Sequence, residues 1–324
     1  MLVLGIESSA HTFGAGVVER GRVLANEKRM YRVGTKGMIP ARVAELHAKN
    51  AAPVIKEALD KAGITTEEIE GVGYTKGPGM GPCLQVGMLA AKTIASSLHI
   101  PIVPVNHAVA HVEIAKKEAR LKNPIALYVS GGNSQILRLG EKPNRHYAVL
   151  GETFDIGVGN MLDAFARNIK LNPAWGSTVA KEAKGGRYVP MPYTVKGMDF
   201  SFTGLLTHAS GLAKEKSNND LCYSIQETAF AMLCEATERA LLMANGRELC
   251  VCGGVAQSER LKEMLAGMCR EHGIVFGYAG NEYNADNGAM IAYVAERLLE
   301  KGASAKLRDC DVKQRYRIET AMVP

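Results

Sequence analysis

The sequence predicts an α/β protein made of two duplicated domains, and three observations carry that expectation. The order three strands, helix, strand, helix, strand, helix is written before residue 120, and its opening returns after it. Runs of strand type bounded by turn residues alternate with stretches of helical spacing. At 324 residues, with 47% hydrophobic and 22% charged residues, the chain can fill two cores of ordinary globular composition.

In the first half, residues 2–6, 12–19 and 22–31 read as strands, with turns at Ser8-Ser9-Ala10-His11 and Glu19-Arg20-Gly21. Val43, Leu46, Ala51, Val54, Ile55 and Leu59 mark a helix from Pro40 to Ala62. A strand at Gly71–Thr75, a glycine-proline loop at residues 77–82, a helix at Leu84–Leu98 and a strand at residues 100–105 lead into a helix opening at His107. The second half repeats the opening: strands at Pro124–Val129, Ser134–Leu139 and His146–Leu150, then helical patterns at Gly159–Ile169 and Leu221–Asn245. A strand at Glu248–Cys252, a helix near Ser258–Glu271, a strand at Ile274–Phe276 and a helix at Asp286–Leu299 complete it. The expected domains are 1–120 and 121–324, facing a cleft, with a lobe rich in Gly, Pro and Tyr inserted near 172–207.

Composition excludes several classes. No stretch approaches the roughly 20 apolar residues of a membrane span. Met1-Leu-Val-Leu-Gly-Ile-Glu7 reads as a core strand with no targeting signal, so the expected compartment is the cytoplasm, with the nucleus added in a eukaryote. Seven cysteines, an odd number with no Cys-x-x-Cys spacing, are expected as buried reduced thiols. A net charge of +6 permits a nucleic-acid partner without demanding one. Basic clusters at Arg20, Arg22, Lys28, Arg29, Arg32, Lys36 and Arg42, and at Lys116, Lys117, Arg120 and Lys122, fit a solvated surface about as well as RNA.

Paired glycines after apolar strands, at Ser130-Gly131-Gly132-Asn133 and again at Gly253-Gly254, are the first chemical signal. Such turns let backbone N–H groups reach phosphate oxygens where a side chain would block approach, and a following helix adds its dipole. Either pair alone could be a tight turn; recurrence favours a nucleotide. Duplicated sheets with these turns resemble the actin, sugar-kinase and heat-shock-chaperone ATPase superfamily, the RNase H-like architecture.

His107 and His111 stand four residues apart, on one face of a helix, close enough to share a cation. Two histidines at a core edge are the plain alternative. The zinc-protease pattern needs glutamate after the first histidine, and Ala108 stands there, which disfavours metal-dependent proteolysis. Asp286, at a helix mouth, reads as a helix cap or as a carboxylate ligand. Tyr128 reads by itself as half-buried strand packing. Asp163 is a partner for Arg167 one turn on, or an acceptor for ribose.

Five motifs in order carry a closer resemblance. They are residues 105–113 around Asn106-His107 and His111, residues 127–133 with Tyr128-Val129-Ser130-Gly131-Gly132-Asn133, residues 151–157, residues 195–202 and Asp286-Asn-Gly-Ala-Met-Ile-Ala292. Over nearly its whole length the chain resembles the universal tRNA threonylcarbamoyltransferase family, in particular the archaeal and eukaryotic catalytic subunit of the KEOPS complex. That family was once labelled an endopeptidase, a label with which Ala108 disagrees.

The resemblance implies one divalent metal, iron or zinc, held by His107, His111, Tyr128 and Asp286. It implies an adenine nucleotide, threonylcarbamoyl-adenylate, lined by Tyr128, Val129, Ser130, Gly131, Gly132, Asn133 and Asp163, with Gly176, Gly254 and Ser258 also assigned to nucleotide binding. The implied reaction is transfer to the exocyclic amine of the adenosine 3′ of the anticodon, position 37, in tRNAs reading codons that start with A. The implied partners are tRNA, an atypical kinase-ATPase, a small dimerising subunit and a tRNA-binding adaptor, with no membrane. Three departures from the family's pattern bear on the adenosine side: Pro173-Ala-Trp175-Gly176-Ser177 in place of Pro-Gly-Gly-Pro, Ala180 in place of an acid, and Ser258 in place of asparagine. Two other readings stay open: a small-molecule kinase using Glu7 or Asp155, and a non-catalytic scaffold that binds metal and nucleotide.

Overall fold

The computed structural model describes residues 1–31, 39–141 and 145–324; Arg32 and Lys36 of the first basic cluster lie outside them. In chain order the elements begin with β1 (Leu2–Glu7), β2 (Thr12–Glu19), β3 (Arg22–Met30), α1 (Pro40–Ala62), β4 (Gly71–Gly77), α2 (Gly81–Leu98), β5 (Ile102–Asn106) and α3 (His107–Glu118). They continue with β6 (Ile125–Val129), β7 (Ser134–Leu139), β8 (Tyr147–Glu152), α4 (Val158–Asn168), α5 (Gly176–Glu182), β9 (Val195–Lys196), β10 (Asp199–Phe200) and α6 (Thr203–Gly211). The last are α7 (Asn218–Met243), β11 (Glu248–Cys252), α8 (Glu259–Glu271), β12 (Val275–Tyr278), α9 (Asn281–Asn284) and α10 (Gly288–Leu299). No helix among the described residues is long and apolar enough to cross a membrane.

The chain forms two compact units. The first comprises residues 1–114, 140–147 and 285–324. Its sheet has the order β3-β2-β1-β4-β5, antiparallel from β3 to β1 and parallel from β1 to β5. Leu4, Ile6, Phe13, Val17, Val54 and Tyr74 meet in its core, as the period-two and helical patterns require. Helix α10 lies against β1 and β2 at backbone contact. A Cβ on Gly5 would stand 2.1 Å from the Ala292 nitrogen, and one on Gly16 would stand 2.3 Å from that of Ala289. The sheet's glycines are therefore the seat of the last helix, and they fix where that helix begins.

The second unit comprises residues 115–139 and 148–284. Its sheet order is β12-β11-β6-β7-β8, with β6 and β7 antiparallel and β6, β11 and β12 parallel. Matching β6 to β1, β7 to β2, β8 to β3, β11 to β4 and β12 to β5 gives one strand order twice. The duplication expected from the sequence is therefore present in the topology itself. Between α4 and α7, residues 172–207 hold α5, the hairpin β9–β10 and the start of α6. The seven cysteines are free thiols, all buried except the half-buried Cys234.

Candidate functional site

In the first unit the polar cluster grows from the junction of β5 and α3. Asn106 ends the strand, and its side-chain oxygen accepts the N–H groups of Ala108 at 2.9 Å and Val109 at 3.1 Å. This cap satisfies helix donors that would otherwise be orphaned, and it sets α3 going at His107. One turn later comes His111, its ring centroid 4.6 Å from that of His107 with the planes 86° apart. Both imidazoles are buried.

Asp286 reaches the pair from the start of α10. Its Oδ1 lies 3.3 Å from His111 Nε2 and 3.6 Å from His107 Nε2. The helix is capped by the next residue, Asn287, whose side-chain oxygen accepts the Met290 N–H at 3.0 Å. Of the two readings open for Asp286, capping therefore falls to its neighbour. On the far side of His107, Nδ1 stands 3.0 Å from Glu7 Oε2, at the buried end of β1.

Burial pulls the His107 pKa down, but the charge and hydrogen bond of Glu7, with Asp286, outweigh it and raise the value to about 9. Burial dominates at His111 and, with the charge of His107, holds it below the ordinary histidine value despite its bond to Asp286. Burial pushes Asp286 up, yet His111 and His107 keep it well below the usual carboxylate range. One ligand atom from each of His107, His111 and Asp286 lies within 4.8 Å of the others, so these residues could hold a metal ion. Two imidazoles and a carboxylate without thiolate suit iron or zinc among several cations.

The second unit carries the glycine turns. Strands β6 and β11 are parallel neighbours, with Tyr128 opposite Cys252, so the turns that follow them leave the sheet at the same end. Ser130 and Asn133 close the first turn, the Ser130 N–H bonding to the Asn133 carbonyl at 2.8 Å and the Asn133 N–H to Ser130 Oγ at 3.1 Å. The Asn160 N–H donates to the Gly131 carbonyl at 2.9 Å, which ties the turn to the start of α4. Gly253 has φ 96°, and a Cβ there would stand 2.4 Å from the Val129 carbonyl oxygen, so only glycine lets the second turn close on the first. At Gly132 and Gly254 an added Cβ would meet nothing within 4 Å. Buried Tyr128 packs beside Gly253, with a ring carbon 3.2 Å from that glycine's Cβ position.

Asp163 and Gly176, expected near one another, are joined directly: Asp163 Oδ1 accepts the Gly176 N–H at 2.7 Å. Ser258 caps α8, its hydroxyl accepting the Leu261 N–H at 3.4 Å. In the sequence, Glu7 is a candidate only for the catalytic carboxylate of a kinase. Its place beside His107 had one local signal, an acid ending the apolar strand Leu2–Ile6. Asp155 is engaged by backbone, accepting the N–H groups of Ile156 at 2.6 Å, Phe202 at 3.0 Å and Thr203 at 2.9 Å. The basic clusters are partly neutralised, Arg29 by Glu57 and Lys117 by Glu118.

Two sheets of one topology, each carrying an α/β unit, define the class: a protein of the actin and sugar-kinase fold. HypF from T. kodakarensis shares that fold at TM-score 0.60 and 15% identity, over 92% of this chain and 47% of that one. The activator of the 2-hydroxyisocaproyl-CoA dehydratase from Clostridium difficile, with bound ADPNP, does so at 0.53 and 13%, over 94% and 99%.

The family is narrower than the fold. The family model for tRNA N6-adenosine threonylcarbamoyltransferase matches residues 21–293. Curated proteins of that name are 43% identical in Thermofilum pendens, over 99% of this chain and 96% of the relative, and 42% identical in Encephalitozoon cuniculi, over 100% and 98%. A probable bifunctional tRNA threonylcarbamoyladenosine biosynthesis protein of Methanothermobacter thermautotrophicus is 44% identical, over 100% of this chain and 61% of its own length. The chain belongs to the tRNA N6-adenosine threonylcarbamoyltransferase family.

Proposed function

We propose that this transferase moves the threonylcarbamoyl group from threonylcarbamoyl-adenylate to N6 of adenosine 37, next to the anticodon, in tRNAs reading codons that begin with A. A bond forms between N6 and the carbamoyl carbon, the bond from that carbon to the phosphate oxygen breaks, and AMP leaves as the amine loses a proton. The observation that carries the reading is the convergence of His107, His111 and Asp286 in a member of this family.

Those three side chains would hold one divalent cation, iron or zinc. When bound, such a cation supplies positive charge for the substrate's oxygens as charge builds on the departing phosphate. The adenine nucleotide is assigned to the second unit. Open space at Gly132 and Gly254 suits phosphate oxygens close to backbone, and the Ser130–Asn133 bonds hold the first turn in shape. Asp163 and Gly176, tied to one another, would meet the adenosine, and Ser258 keeps its O–H for donation while its oxygen accepts from Leu261. An aromatic amine is a weak nucleophile, so holding donor and acceptor in register supplies much of the rate.

The kinase alternative needs a carboxylate free to face phosphate. Glu7 is committed to His107, and Asp155 to three backbone N–H groups, so neither observation favours it. A net charge of +6 is mild for selecting one adenosine in a tRNA. The reading therefore includes a tRNA-binding adaptor, a small dimerising subunit and an atypical kinase-ATPase as partners, working in the cytoplasm. The test is incubation with threonylcarbamoyl-adenylate, unmodified tRNA and those partners, with and without chelator. Modified adenosine and AMP in equal amounts, both lost with chelator, are expected. Product formation indifferent to chelator contradicts the metal's role, and absence of product contradicts the transfer.

A further inference from the structure

Glu7 has no exposed surface, and the proposed reaction gives it no part. Its Oε1 accepts the Ser9 N–H at 2.6 Å. Its Oε2 accepts the Thr75 hydroxyl at 2.7 Å and lies 3.0 Å from His107 Nδ1. The carboxylate is thus anchored at both oxygens, by the turn after β1, by β4 and by α3, and its plane is fixed. An ionised carboxylate only accepts, so the contact with His107 requires the proton on Nδ1. The lone pair of the neutral ring is then on Nε2, the nitrogen facing Asp286 Oδ1 at 3.6 Å.

We infer that Glu7 is a positioning residue for the metal centre: it selects the Nδ1–H tautomer of His107 and aims Nε2 at the cation. It touches neither metal nor substrate and acts through the imidazole, whose basicity as a ligand it raises. A buried tie between β1 and α3 with no such role would explain the burial of Glu7. It would not explain why the bond is made to the nitrogen turned away from Asp286. The inference rests on the metal reading above, and its test separates the two.

Zinc affinity of the full chain, read by competition with a chromophoric chelator, is compared among wild type, Glu7→Gln and Glu7→Ala. Outer-shell carboxylates of this kind are worth about 10- to 100-fold in affinity, so Glu7→Ala is expected to bind zinc that much more weakly. Glu7→Gln, which still offers an amide oxygen to Nδ1–H, should fall between it and wild type. A purely structural tie would lower the melting temperature of both variants and leave the zinc affinity of the folded protein unchanged; that result overturns the inference. In zinc-loaded wild type, two-bond ¹H–¹⁵N correlation of the histidine rings gives a readout independent of variant folding. His107 should carry hydrogen on Nδ1 and metal on Nε2, and metal on Nδ1 overturns the inference. Wild type that binds no zinc overturns the metal reading itself, and the inference with it.

Discussion

At the scale of single residues, the cluster in the first unit should behave as one ligand set. Replacing His107, His111 and Asp286 together by alanine is expected to abolish metal content by elemental analysis while circular dichroism keeps the wild-type helix signal; equal metal in variant and parent would refute the assignment. The glycine turns admit a sharper test. A Cβ at Gly254 meets no protein atom within 4 Å, so Gly254→Val should leave the fold in place and obstruct only a ligand. Titration with AMP should show at least about a tenfold loss of affinity, roughly 1.4 kcal/mol, and unchanged affinity would place the nucleotide elsewhere. Spacing made the histidine pair legible, because four residues is one helical turn wherever the helix lies. Two things were beyond local pattern. Whether Asp286 or Asn287 caps α10 depends on which side chain turns back onto the helix. The bond between Glu7 and His107 joins residues 100 positions apart, and only the pairing of β1 with β4, and of β4 with β5, brings them together.

At the scale of elements, capping and charge make separate predictions. Ser217 caps α7 by accepting the Asp220 N–H at 3.2 Å, so Ser217→Ala should lower stability by about 1 kcal/mol in chemical denaturation. Asp155 bridges the turn before α4 to the first N–H groups of α6. Burial pushes its pKa up, but the backbone N–H groups of Phe202, Thr203 and Ile156 prevail and hold it at about 2, against an ordinary value of 3.8. A depressed carboxylate pKa stabilises the fold above its unfolded value, and the contribution is lost as pH falls from about 4 towards 2. The residue is solvent-exposed, so screening reduces the effect to about 1 kcal/mol. The melting temperature of Asp155→Asn should fall below wild type at pH 6 and converge with it near pH 2; a constant gap would contradict the charge argument. Long periodic elements were legible to within a few residues: α1, Pro40–Ala62, extends three residues beyond its apolar spacing, Val43 to Leu59, at each end. The short α5 and the hairpin β9–β10 were not, since two to seven residues give periodicity too little length to register. Nor does the pattern of α10 say which sheet it packs on, which is decided by contact with Gly5 and Gly16 nearly 300 residues earlier.

At the scale of the whole molecule, the repeated strand order was legible because each half keeps the sequence of elements that generates it. The proposed partners rest on family resemblance alone, since a net charge of +6 with paired surface cations points to no particular acceptor. The isolated chain is therefore expected to bind tRNA weakly and to modify it slowly or not at all, with activity restored by the adaptor, dimerising and kinase-ATPase subunits. Efficient site-specific modification by the chain with threonylcarbamoyl-adenylate alone would refute that dependence. The central claim is that the transfer depends on the cluster of His107, His111 and Asp286, and single-turnover transfer in the reconstituted complex tests it most directly. With threonylcarbamoyl-adenylate bound in advance and tRNA added, His111→Ala is predicted to form modified adenosine at least about a hundredfold more slowly than wild type, the scale expected when electrostatic stabilisation of a leaving group is removed. Transfer at the wild-type rate by a folded His111→Ala protein would contradict the account.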